Sequence, residues 1–302
     1  MKLQFSSLFI CFWFFFSCSE NDNSNIIYSE KYDDIIIEDT INYNIKSLNH
    51  IGDTISVLSI GNSFSSDAVE HHLVDIAKVL MVGNLSYSAA GLDFHWQNVT
   101  NNKSNYVYFR SDKGYKSNVS INSAIRDYSW DYISLQQVSS LSGIASSFSP
   151  YLENLIDYIK ENRVNKNGKI ILHQTWAYAP NSKHPGFINY KNNQFLMFKS
   201  IIESYNYWER YKDIDMRIPC GTAIQNARTT SFGQDLTIDG YHLDQRVGQY
   251  LAALTWYDKL TYNNVVGNKY VPNNVSEKEI ITLQKSAHAA VINPNNITII
   301  NN

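Results

Sequence analysis

The sequence predicts an α/β fold, a three-layer sandwich in which a mostly parallel sheet of five strands lies between helices on both faces. Three observations predict it. Short apolar runs end in glycine or polar residues, amphipathic stretches at helical spacing alternate with them, and 302 residues at 44% hydrophobic composition suffice for one large core.

Regularity begins at "SVLSIGNSFS", residues 56–65. Val57, Leu58 and Ile60 read as a buried strand, Gly61 permits a tight exit, and Asp67 with Glu70 three residues on marks a helix start. Ser63 therefore falls between a strand and a helix. Ligands of α/β domains gather there, and an ordinary capping serine is equally at home. Val69, Leu73, Ile76 and Leu80 fall at helical spacing, with Gly83 as the stop. Residues 84–91, "NLSYSAAG", read as the second strand, and the polar residues 101–120 as an exposed excursion. The third strand, 132–135, ends in Gln136 and Gln137. Leu152, Leu155, Ile156 and Ile159 mark a helix, 169–174 the fourth strand, 193–205 a helix and 216–223 the fifth strand. Val247, Leu251, Leu254 and Tyr257 give a late helix, and a weaker one covers 276–291.

The chain opens "MKLQFSSLFICFWFFFSCSE", with one positive charge at Lys2 and an apolar run over residues 8–16 that is too short to span a bilayer. Ser17-Cys18 after that run resembles the lipobox of bacterial lipoproteins, with Phe15 where that motif usually has Leu. The resemblance implies a leader over 1–17, lipid on Cys18 and a cell-envelope location facing the periplasm or the outer surface. Residues 18–50 read as a flexible tether and N-terminal extension with one candidate edge strand at 35–37, 51–265 as the main domain, and 266–302 as a C-terminal extension packed on it or trailing it. With Cys11 in the leader and Cys18 lipidated, only Cys220 remains, so the mature chain has no intramolecular disulfide to rely on.

The formal charge is −3, one unit more negative once Lys2 leaves with the leader, and no basic stripe suggests nucleic acid. Aromatic residues make up 14%, suited to stacking on sugars and equally to filling a core. His71 and His72 are adjacent on a helix and point about 100° apart, with no partner four residues on, so no metal or other cofactor is expected. Cys220 lies in an apolar run with no basic neighbour, the setting of an inert buried thiol.

The late stretch "TIDGYHLD", residues 237–244, places Asp239 and His242 three apart before a helix. A hydroxyl nucleophile needs a base, and the base needs a carboxylate to orient it. With strand-GNS-helix early and DGYH-helix late, the chain resembles the SGNH/GDSL hydrolase superfamily, and more narrowly a bacterial lipoprotein branch with GNSF[ST] and DG.H[LM] motifs. The resemblance implies Ser63 as nucleophile, His242 as base and Asp239 as its orienter, in an SGNH, flavodoxin-like sheet. It also implies an oxyanion hole from the Ser63 N–H, the Gly91 N–H and a side-chain amide, for which Gln136 is the candidate and Gln137 the alternative. Asn62 stands where the superfamily usually has Asp, and "LQQVSSLSG" where it usually has G-x-N-D. His95, Trp176 and Asn226 follow strand ends and are candidates for the pocket mouth, packing being the plain alternative for each.

The expected function is a lipid-anchored serine esterase acting on acyl esters, acetyl esters of carbohydrate foremost. Its partners would be an acylated small molecule or glycan, and a membrane through the anchor alone. The alternatives are a glycan-binding lipoprotein without catalysis, and a lipase or thioesterase.

Overall fold

The computed structural model describes residues 54–301 apart from 78, 79 and 212; the leader, Cys18, the tether and the strand at 35–37 lie outside the described residues. In chain order come β1 (Ile55–Gly61), α1 (Ser63–Val69), α2 (Leu73–Ile76), β2 (Leu80–Ser86), α3 (Leu92–Thr100), β3 (Tyr106–Arg110), β4 (Gly114–Val119) and α4 (Ile121–Arg126). Then follow β5 (Tyr132–Leu135), α5 (Tyr151–Asn162), β6 (Lys169–His173), α6 (Gln194–Trp208), β7 (Met216–Ile218), α7 (Cys220–Ala227), α8 (Gly248–Thr261) and α9 (Glu277–Ile292).

The strands form one sheet in the order β4-β3-β2-β1-β5-β6-β7. The five strands from β2 to β7 in that order run parallel, as alternation with helices requires. Residues 101–120, expected as an exposed excursion, instead form the antiparallel hairpin β3-β4 on the β2 edge, so the sheet has seven strands and not five. The hairpin escapes a reading of hydrophobic pattern because β4 pairs through its backbone while nearly all its side chains face solvent.

Helices α1, α2, α7, α8 and α9 pack together as one layer, and α3, α4 and α5 as another. Strand residues such as Leu58, Ile60, Val82, Leu135 and Leu172 are fully buried between the layers, each worth about 1.5–3 kcal/mol relative to exposure.

Three local expectations are corrected. The first helix begins at Ser63 with Asn62 as its cap, so Asp67 lies inside it and is not its start. Leu80 opens β2, and Gly83 sits within that strand and stops no helix, because a Cβ there would come within 2.7 Å of the Trp130 ring. The fifth parallel strand stops at Ile218. Pro219 follows, and Cys220 begins a helix, where burial pushes its thiol up.

Because β1 has β2 on one side and β5 on the other, the chain leaves it in opposite directions, and the carboxyl ends of β1 and β5 are the switch point at which open α/β sheets bind ligands. Ser63 follows β1 and Gln136 follows β5.

Candidate active site

Asn62, in extended conformation, turns the chain from β1 into α1. Its Oδ1 accepts the Phe64 N–H at 3.0 Å and Gln136 Nε2 at 2.8 Å, and its Nδ2 donates to Ala90 O at 2.9 Å. A single amide thus joins the turns after β1, β2 and β5. Gly61 is needed for that approach, since a Cβ there would meet the Gln136 side chain at 2.7 Å.

This turn leaves Ser63 at the first position of α1, partly exposed. Its Oγ lies 3.0 Å from His242 Nε2, and His242 Nδ1 lies 2.7 Å from Asp239 Oδ2. Asp239 Oδ1 accepts the backbone N–H of Tyr241 at 3.0 Å and of His242 at 2.7 Å, so the carboxylate shapes the loop that carries the imidazole. Burial works against ionisation at Asp239, yet the hydrogen bonds from His242 and Tyr241 outweigh it and hold the carboxyl below its usual range. With Nδ1 donating to Asp239, Nε2 presents its lone pair to the serine hydroxyl.

The loop is braced from two sides. A bridge pairs Thr237 with Leu243, and Leu236, Leu243 and Val247 are buried beneath it. Trp176 donates its indole N–H to Tyr241 O at 2.7 Å and stacks on Phe64, ring centroids 4.3 Å apart. It touches residues beside both Ser63 and His242, but it is fully buried, so its place is behind the site and not at a pocket mouth.

The other two candidates for the pocket mouth are also corrected. His95 is fully buried with Nδ1 2.8 Å from Tyr106 Oη, and burial pushes it down to about 3, leaving it neutral. Asn226 is fully buried, donates to Ser286 O and accepts the Thr298 N–H, and so anchors the C-terminal segment.

Ser63 N–H and Gly91 N–H each stand at a helix N-terminus, where intrahelical acceptors are absent, and neither has an acceptor among the described residues. Gln136 is different. Its side chain is buried, with one Nε2 hydrogen on Asn62 Oδ1 and Oε1 accepting from His173 Nδ1 at 2.8 Å, so it supports the turn while its second Nε2 hydrogen has no acceptor among the described residues. Gln137 is fully committed: Oε1 accepts Leu92 N–H and Val138 N–H, and Nε2 donates to Ser147 O and Oγ. The alternative donor, Gln137, is therefore corrected, whereas Gln136 keeps one N–H beyond its bond to Asn62.

The sequence reading did not single out Asp67 or His184 for the site. Asp67 stands one turn beyond Ser63 on α1, a spacing that is visible in the sequence. His184 packs 4.8 Å from the Tyr241 ring, accepts the Gly186 N–H on Nδ1, and is held below its ordinary value by partial burial and the nearby His242 charge, against the pull of Asp239. No sequence signal marks it, because a loop fold brings it there.

Among solved structures, a DUF4886 family protein from Bacteroides uniformis is similar over 82% of this chain and 98% of that chain, at 41% identity and TM-score 0.79. More distant are a catalytic mutant of Axe2, an acetylxylan esterase from Geobacillus stearothermophilus (12% identity, 74% of this chain and 99% of that one, TM-score 0.45), and LAE5, an α/β hydrolase from the metagenome of Lake Arreo (10%, 70% and 96%, TM-score 0.40). No curated protein matches the chain. A family model described as Domain of unknown function (DUF4886) matches residues 56–290, and with the 41% identical relative it shows that the chain belongs to the DUF4886 family.

Proposed function

We propose that the protein is a serine esterase that cleaves acyl esters through Ser63, His242 and Asp239. The observation that carries the reading is the continuous relay from Ser63 Oγ through His242 to Asp239, at 3.0 and 2.7 Å. Ser63 Oγ attacks the ester carbonyl while His242 Nε2 takes its proton, and Asp239 orients the ring and stabilises the imidazolium. The oxyanion forms between the Ser63 and Gly91 N–H groups, whose unpaired state suits a charge that develops only in the transition state. His242 returns the proton to the leaving alcohol, and water then releases the acyl group by the same route. The SGNH/GDSL resemblance of the GNSF and DGYH segments supports the same assignment.

Acetyl esters of carbohydrate are the substrate class we favour, with the chain held at the cell envelope by lipid on Cys18. Replacing Cys18 with Ala should abolish fatty-acid labelling and release the protein from membranes; equal label would refute the anchor.

The activity is tested with p-nitrophenyl acetate and a fluorophosphonate probe. Ser63→Ala and His242→Ala should each lower kcat roughly 10⁴-fold or more, since the two act as one unit, and Ser63→Ala should take no label. Release of acetate from acetylated glycans, falling as the acyl chain lengthens, is expected. Preference for octanoyl esters would move the protein to the lipases, and no hydrolysis with Ser63 unlabelled would leave a binding protein.

A further inference from the structure

Asp67 lies four residues after Ser63 on α1, on the same face of the helix. Its Oδ2 accepts the backbone N–H of Leu243 at 2.9 Å, and its Oδ1 accepts from Gln249 Nε2 at 3.1 Å. Leu243 is the residue after His242, and Gln249 is in the first turn of α8. One carboxylate therefore spans the helix that carries Ser63, the loop that carries His242 and the helix behind both.

Resting on the reading of Ser63 and His242 as nucleophile and base, we infer that Asp67, as a carboxylate, is a positioning residue that fixes the separation of Ser63 Oγ and His242 Nε2. An ionised carboxylate accepts one N–H group on each oxygen with a charge-assisted strength that a neutral acid lacks. Protonation would place a hydroxyl on one oxygen, against the donor that already points there, and the tie between helix and loop would loosen. The ionisable groups acting on Asp67 are His242 and Asp239 from the loop and Glu70 from its own helix. Burial is the strongest influence and raises the carboxyl to about 6, opposed by the Leu243 bond and the His242 charge. The tie thus forms as the pH rises through mild acidity.

Wild type, Asp67→Asn and Gln249→Met are compared for kcat and KM on p-nitrophenyl acetate across pH 5 to 9, with fluorophosphonate labelling and thermal melts at pH 8. Asp67→Asn should lower kcat at pH 8 by about 10- to 100-fold with KM nearly unchanged, the scale on which small misplacements act, and its acid limb should lack the component near pH 6. Gln249→Met keeps the Leu243 N–H bond to Asp67 but removes a donor to the charged form, together with a bond from Gln249 to the Leu243 carbonyl, so it should move the acid limb to higher pH. Wild-type kcat and pH profile in Asp67→Asn, while the wild type labels normally, would overturn the inference. So would an Asp67→Asn melt far below wild type at pH 8, which would make the carboxylate a support of the fold. A wild type that takes no label at Ser63 would instead sink the esterase reading, and this inference with it.

Discussion

An aspartate at position 62 could not do what the asparagine there does. Asn62 donates from Nδ2 to Ala90 O while its Oδ1 accepts two N–H groups, and the residue is buried. A carboxylate would set a buried negative oxygen against the Ala90 carbonyl and lose the donor outright. Asn62→Asp is therefore expected to lower stability by roughly 1–3 kcal/mol and to depress kcat with it, because Ser63 is the next residue. Denaturant melts and steady-state kinetics on the same preparation check this; an unchanged melt would show that the Ala90 contact carries little. The same argument explains Gln136. One of its amide hydrogens holds Asn62 from behind.

At the scale of elements, the site is a junction between α1 and the loop before α8, closed by Trp176. The indole bonds to Tyr241 O and stacks on Phe64, so it holds the His242 loop and the Ser63 helix at one spacing. Trp176→Phe keeps an aromatic face and deletes the N–H, leaving the Tyr241 carbonyl without this donor. A cost of about 1–2 kcal/mol is expected, with kcat falling more than KM rises. Trp176→Leu should be worse on both measures, since it also removes the stack, and equal effects would show that stacking is unimportant. The C-terminal segment behaves differently. Asn226 and Thr229 accept the N–H groups of Thr298 and Ile300, and Arg217 donates to Asn295. Asn226→Ala should cost roughly 1–3 kcal/mol of stability with kcat unchanged, and a fall in kcat without a fall in melting temperature would restore it to the site.

For the molecule as a whole, buried histidines set the pH dependence of stability. Burial pushes both His95 and His173 down to about 3 in the folded state, against an ordinary value of 6.5. Below 6.5 the unfolded chain takes up protons that the native state refuses, so stability is full above that value and is lost as pH falls from 6.5 towards 3. Each contributes a loss of about 2 kcal/mol by pH 5. Asp67 acts with the opposite sign between 3.8 and about 6, because its raised value lets the native state hold a proton that the unfolded state has released. One carboxyl offsets only part of two histidines. Denaturant melts should therefore show a less stable protein at pH 5 than at pH 7, and a flat profile would mean that the histidines are hydrated.

Local patterns carried the parallel core and the residues of the relay. The strand ending in Gly-Asn-Ser and the DGYH segment before a helix are each encoded within a few neighbours, because strand burial, turn geometry and the Asp239-to-His242 spacing are short-range properties. Tertiary structure alone decided what those residues meet. Strand β4 was invisible because its pairing rests on the backbone while nearly all its side chains face solvent, and Gly83 looked like a helix stop until Trp130 lay over it. His95, Trp176 and Asn226 follow secondary elements that point towards the site, yet their burial depends on Tyr106, Phe64 and the C-terminal segment, all distant in sequence. The two glutamines were equivalent as letters. The path of the chain after β5 turned one towards Asn62 and the other towards α3, and the bonds waiting there fixed what each does.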